Sequence, residues 1–219
     1  MRKIIATILG ALCIAAPSIA QSEQERSEMA KAYLDKMSSK NKSFSTIKTS
    51  FSVTVDNKQA NQKTEWKGEL TMKGNKYKLD FMNSITFFDG TTICTWLVDD
   101  KEANITDADE NSDAAIGPMQ LLGAYDKGYK MRYLEDVKID AYNCVNIDLY
   151  PIDHKTNITR VRLTIDKDSY SIKRIMQQGK DGTSYYVNVD SFKTNLTIAD
   201  SEFSFDAKAH PDVEIVDMR

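Results

Sequence analysis

The chain has 219 residues, 41% of them hydrophobic and 28% charged, with a formal net charge of −3. That is the composition of a soluble globular protein, and its mild acidity argues against phosphate backbones, and so nucleic acid, as partners. After the first twenty residues no compositional break or Pro/Gly/Ser linker appears. Residues 21–219 therefore read as one domain, long enough to bury a substantial core without cross-links.

Residues 1–20 read as a secretory leader. Arg2 and Lys3 are followed by an apolar run from Ile4 to Ala16, then Pro17 and the small-residue site Ser18-Ile19-Ala20. The run is too short to span a bilayer and has the order of a cleavable signal peptide. Cys13 lies inside the run behind Leu12, which argues against lipoprotein processing. Cleavage after about Ala20 would deliver the mature chain to a periplasm with 27 basic and 32 acidic residues. Cys94 and Cys144 then remain, and an oxidising compartment makes a disulfide between them chemically possible. Geometry weighs against it. In an up-and-down sheet one or two strands would separate them, and two spacings of about 4.8 Å exceed the roughly 7 Å that a disulfide bridges.

The next segment, 23–40, predicts a helix. Met29, Tyr33 and Met37 recur every four residues with Ala30 and Leu34 beside them, one apolar stripe on a charged cylinder. Such a stripe serves either as plain core packing or as a cover that moves. The period then changes to two. Phe51, Val53 and Val55 alternate with polar residues, as do Trp66, Gly68, Leu70 and Met72, then Tyr77, Leu79 and Phe81. Gly74-Asn75 and Asp89-Gly90 supply hairpin turns. Residues 99–113 are polar and acidic. Asp107, Asp109, Glu110 and Asp113 invite a calcium reading, but Ser112 stands where the loop needs glycine and Pro118 where it needs glutamate. Residues 116–123 read as a short apolar helix containing Met119, Leu121 and Leu122. About five further strands follow, through Val145-Ile147-Leu149, Val161-Leu163-Ile165, Ile172 to Met176 and Tyr185-Val187-Val189, before Phe203, Phe205 and the tail. A long antiparallel sheet with one apolar face needs a cover, and the two helical segments are the available ones.

Catalysis finds little support. The two histidines, His154 and His210, sit in polar turn-like contexts, and no serine occupies a Gly-x-Ser-x-Gly elbow. The chain reads as a non-enzyme with no metal or cofactor. The expected hydrophobic cavity is lined by Trp66, Leu70, Met72, Leu79, Phe81 and Trp96, with Ile93 and Leu97 in the opposite phase to Trp96. The expected lid comprises Met29, Tyr33, Leu34 and Met37 together with Met119, Leu121 and Leu122.

The ordered set of motifs resembles the LolA-like outer-membrane lipoprotein carriers, within the superfamily that also holds LolB-like acceptors. The resemblance rests on the leading helix and Ile47-Lys48-Thr49-Ser50-Phe51-Ser52, on Gly68 to Lys73, Tyr77 to Phe81 and Phe88-Asp89-Gly90-Thr91-Thr92, on Trp96 and the Met119 helix, on Val145 to Pro151, and on Glu202-Phe203-Ser204-Phe205. It implies an α+β, mainly β fold, an incomplete antiparallel barrel of about eleven strands closed by a helical lid. It implies a periplasmic carrier that binds the acyl chains of lipoproteins, receives them from an inner-membrane lipoprotein-release transporter and yields them to an outer-membrane acceptor. An envelope sensor or interaction protein binding lipidated or hydrophobic ligands on the same fold, without transfer, is the alternative. Members of the family carry an Arg-Pro pair after the Gly-x-Leu strand, where the arginine latches the lid. Here Gly74-Asn75 occupies that place.

Overall fold

The computed structural model describes residues 23–57, 62–108 and 128–219. Residues 1–20, read from sequence as a leader, the acidic residues Asp109, Glu110 and Asp113, and the lid candidates Met119, Leu121 and Leu122 lie outside these. The described chain begins with helix α1 (Glu23–Lys42), two residues longer than the sequence predicts. Glu23 and Glu25 lie in its first turn and Lys40 and Lys42 in its last, each sign placed to complement the helix dipole. Six strands follow: β1 (Thr46–Asn57), β2 (Gln62–Lys73), β3 (Lys76–Phe81), β4 (Ser84–Phe88), β5 (Thr92–Leu97) and β6 (Glu102–Asp107). Then come β7 (Tyr129–Ile139), β8 (Tyr142–Pro151), β9 (Ile158–Asp166), β10 (Ile172–Gly179) and β11 (Thr183–Thr194), a short 3-10 helix (Asp200–Phe203) and β12 (Glu214–Asp217).

All twelve strands form one open sheet in the order β12-β6-β5-β4-β3-β2-β1-β11-β10-β9-β8-β7. Neighbours are antiparallel except β12, which pairs with β6 in parallel. This strand is the addition to the expected eleven. β1 and β11 close the two halves onto each other, so the chain runs outward from β1 to β6, crosses, and returns inward from β7 to β11. The result is a half-open barrel whose inner face is the one α1 packs.

Alternation builds that face in rows. One row reads Ile147, Leu163, Ile175, Val187, Val53 and Trp66 across β8, β9, β10, β11, β1 and β2. On β1, β2 and β3 further rows read Phe51, Gly68 and Phe81, then Thr49, Leu70 and Leu79, then Ile47, Met72 and Tyr77. Ala30, Leu34 and Met37 of α1 are buried in one core with Ile47, Phe51, Leu70, Met72 and the apolar residues of β8 to β10. Gly68 is required by packing. A Cβ there would stand 2.6 Å from the Phe51 ring and 2.9 Å from the Asp80 carbonyl oxygen, so only glycine lets Phe51 lie flat and reach Phe81 at 5.7 Å.

The outer face is polar over β8 and β9, where Asp148, 1% exposed, accepts hydrogen bonds from Arg162 Nε (2.6 Å) and Nη2 (2.9 Å). Over β4 to β6 the outer face is apolar instead. Phe87, Cys94 and Ala103 form a second core there with Ile85, Trp96, Ile105, Phe205 and Val213. The C-terminal tail is its cover.

Candidate functional site

The inner face is the candidate site, and its chemistry is set by what it lacks. The inward positions of β8 to β11 and of β1 to β3 hold no carboxylate, histidine, lysine or arginine. Burial raises the pKa of Tyr77 on this face, which therefore stays a neutral phenol. A surface of this kind binds apolar groups and offers no acid, base or nucleophile arranged for a reaction.

Five of the six expected cavity residues stand on this face. Leu70 and Met72 are buried, with Leu79 and Phe81 packed against the same core. Trp66 is half-buried at the end of its row, paired with Val53. The sixth, Trp96, does not belong to it. Strand β5 pairs Trp96 with Ile85 and Ala103, and its ring packs outward against Phe205 (5.5 Å) and His210 (4.4 Å). Ile93 and Leu97 take the inner phase. The physical reason is that β5 carries apolar residues in both phases, so alternation gives no unique inside.

Of the described lid residues, Leu34 and Met37 are buried under α1, and Tyr33 is half-buried between Tyr133 (6.4 Å, stacked) and Tyr170 (6.3 Å). Met29 is half-buried on the same helix. The helix is fixed to strand β7 by polar contacts. Arg26 Nη1 donates to the carbonyl oxygens of Tyr133 and Leu134, each at 3.3 Å. These carbonyls lie where the β7–β8 register slips between Tyr133 and Glu135. Glu23 adds an ion pair to Arg132 at 2.8 Å. The Tyr133 hydroxyl donates to Asp136 at 2.6 Å, and burial together with that carboxylate pushes its pKa up to about 12. At the Gly74-Asn75 turn the flanking lysines face outward, and Lys73 and Lys76 hold Asp200 at 2.7 and 3.0 Å.

The disulfide held possible between Cys94 and Cys144 is not formed. Cys94 and Cys144 are buried free thiols. Seven strands separate β5 from β8 in the sheet order, and the thiols serve separate regions of the structure, Cys94 in the tail-covered core and Cys144 on the outer side of β8.

Where α1 covers it the inner face is closely packed, while over β3 to β5 its residues are half-buried. Beneath the helix, Thr49, Phe51, Ile172, Val187, Val189 and Phe192 line a void of about 20 Å³, room for one water against the about 300–1,000 Å³ of a ligand pocket. A larger concavity of about 890 Å³ opens where β9, β10 and β11 end, with Ile158, Gln177 and Tyr185 among its walls. Sequence reading missed Arg26, Gln177 and Tyr185. Gln177 was the legible one, a polar residue in the inward phase two positions after Ile175.

Comparison with known proteins agrees with this geometry. The family model described as "Outer membrane lipoprotein carrier protein LolA" matches residues 42–206. No curated protein sequence matches the chain. Among solved structures, an uncharacterized conserved protein from Thermus thermophilus superposes with a TM-score of 0.57 at 13% identity, over 86% of this chain and 99% of that one. A LolA superfamily protein from Nitrosomonas europaea gives 0.47 at 10% identity, over 80% and 97%. A putative outer membrane lipoprotein-sorting protein domain from Vibrio parahaemolyticus gives 0.46 at 10%, over 81% and 97%. At these identities the likeness is one of fold.

Proposed function

Because the chain belongs to the LolA family of outer membrane lipoprotein carrier proteins, we propose that it is a periplasmic carrier that takes the acyl chains of lipoproteins onto the inner face of its sheet and shuttles them toward the outer membrane. The observation that carries this reading is a continuous, uncharged apolar face covered, among the described residues, by one amphipathic helix. An acyl chain gains roughly 0.8 kcal/mol for each methylene removed from water. A shuttle must match that gain and still let the chain go. Leu34 and Met37 do both, because they occupy the ground the cargo needs and return to it when cargo leaves. The 20 Å³ void under the helix cannot hold an acyl chain, so in this reading α1 moves aside when a chain enters beneath it. In this reading an inner-membrane lipoprotein-release transporter loads the open form, and an outer-membrane acceptor offers the chains a better apolar site.

The test locks the helix. In a background with Cys94→Ala and Cys144→Ala, the pair Tyr33→Cys and Tyr133→Cys is joined by a short bis-maleimide, and binding of a fluorescent triacylated lipopeptide is followed by polarisation. Tethering should weaken binding at least tenfold relative to the same variant with each thiol capped singly. Equal affinity in the two forms would mean that α1 is only a core element and that acyl chains do not bind beneath it.

A further inference from the structure

Gln177 is out of place on the inner face. Its register partners are Val161 on β9 and Tyr185 on β11. It is 5% exposed, and its side-chain amide makes no hydrogen bond with any described residue, whereas the adjacent Gln178 is held by Arg160 at 3.1 Å. The amide is not sealed away from solvent, so its hydrogen-bonding capacity is open to whatever enters the adjoining space. The remaining freedom of this amide points one way, into the 890 Å³ concavity at the end of β9, β10 and β11.

Several of the charged groups around that concavity already hold local partners. Asp153 accepts the Lys155 backbone N–H at 2.8 Å. Asp181 accepts from the Thr183 backbone and hydroxyl at 2.9 and 3.0 Å. Lys180 donates to the His154 carbonyl at 2.6 Å. Lys155 is exposed at the rim. On the strands, the Gln177 amide is flanked by Tyr185 and Ile158, continuous along β9 with Val161 and Leu163 of the apolar rows, while Asn157 and the charged groups stand at the loops. Neutral polarity at the end of an apolar track suits an uncharged carbonyl at the end of an alkyl chain.

We propose that Gln177 and this concavity form a polar subsite for the ester or amide carbonyl that joins an acyl chain to its head group, with the chain itself lying along the apolar rows. The subsite rests on the carrier reading and adds to it the recognition of the linkage. It orients the cargo, with chain ends toward α1 and linkage and head group toward the mouth formed by the β8–β9 and β10–β11 loops. The Gln177 amide donates to the carbonyl oxygen, so a ligand with the same chain and no carbonyl leaves the amide unpaired.

Monodecanoylglycerol and its ether analogue decylglycerol differ by that carbonyl alone, and isothermal titration calorimetry below their aggregation concentrations separates the possibilities. Wild-type protein should bind the ester about fivefold more tightly than the ether, the worth of one neutral hydrogen bond. Gln177→Leu should erase the preference and leave ether affinity equal or better. Gln177→Met repeats the comparison with an unbranched side chain. A preference that survives in both variants, or equal binding of the two amphiphiles to wild type, overturns the subsite and leaves the carrier reading standing. Failure of wild type to bind either amphiphile overturns both.

Discussion

Trp96 is where a single side chain separates stability from binding. Its ring is enclosed by Phe205 and His210 on the outer face, and its Nε1–H is buried without a partner. Trp96→Ala should therefore cost on the order of 2 kcal/mol, the range for an aromatic truncated in a core and discounted for its half exposure, while leaving lipopeptide affinity unchanged. Denaturant melts and the polarisation assay measure the two quantities. A loss of affinity at unchanged stability would return Trp96 to the cavity. Sequence alone could not place it, since Ile93, Trp96 and Leu97 give β5 apolar residues in both phases. Trp66, Leu70 and Met72 were legible because Lys67, Glu69, Thr71 and Lys73 fix the opposite phase as wet. Gln177 was readable only as an exception to its strand's pattern, which has meaning once its neighbours are known.

Among the elements, the C-terminal tail was the least legible, because its apolar residues follow neither period and its partner is the outer face of β4 to β6. Its polar hold is specific. Lys73 and Lys76, on either side of the Gly74-Asn75 turn, pull the Asp200 carboxyl down to about 2, and Lys78 reaches Glu202 at 2.7 Å. A freed Asp200 would titrate near 3.8. Its folded pKa is depressed, so its contribution is full above about pH 4, declines as the pH falls through 3.8, and is gone below about 2. In a Trp66→Phe background, the emission of Trp96 should change across that window as the tail loosens. Asp200→Asn should show the loosened signal at every pH. A titration identical in the two proteins would assign the transition to other carboxylates. Helix α1, by contrast, was plain in the four-residue recurrence of Met29, Tyr33 and Met37, although the arginine that ties it to β7 carries no pattern at all.

On the scale of the whole molecule, the half-open barrel follows from the alternating strands and the order of their motifs, and the expected count of about eleven strands is met by twelve, with the four-residue β12 at the sheet's edge. The same strand order sets the redox chemistry. With seven strands between Cys94 and Cys144, the mature protein should titrate as two thiols after denaturation without reductant. Both should react slowly in the native state at neutral pH, since burial raises both pKa values. Fewer than two thiols would mean a different strand order or a covalent dimer. Strand β7 ends the sheet on the side where α1 lies, and Arg26 occupies two of its outward carbonyls. A helix that lifts takes that arginine with it and leaves those two carbonyls without it. If the proposed carrier reading holds, the form with α1 raised is the one whose sheet edge is open to strand-upon-strand pairing between copies.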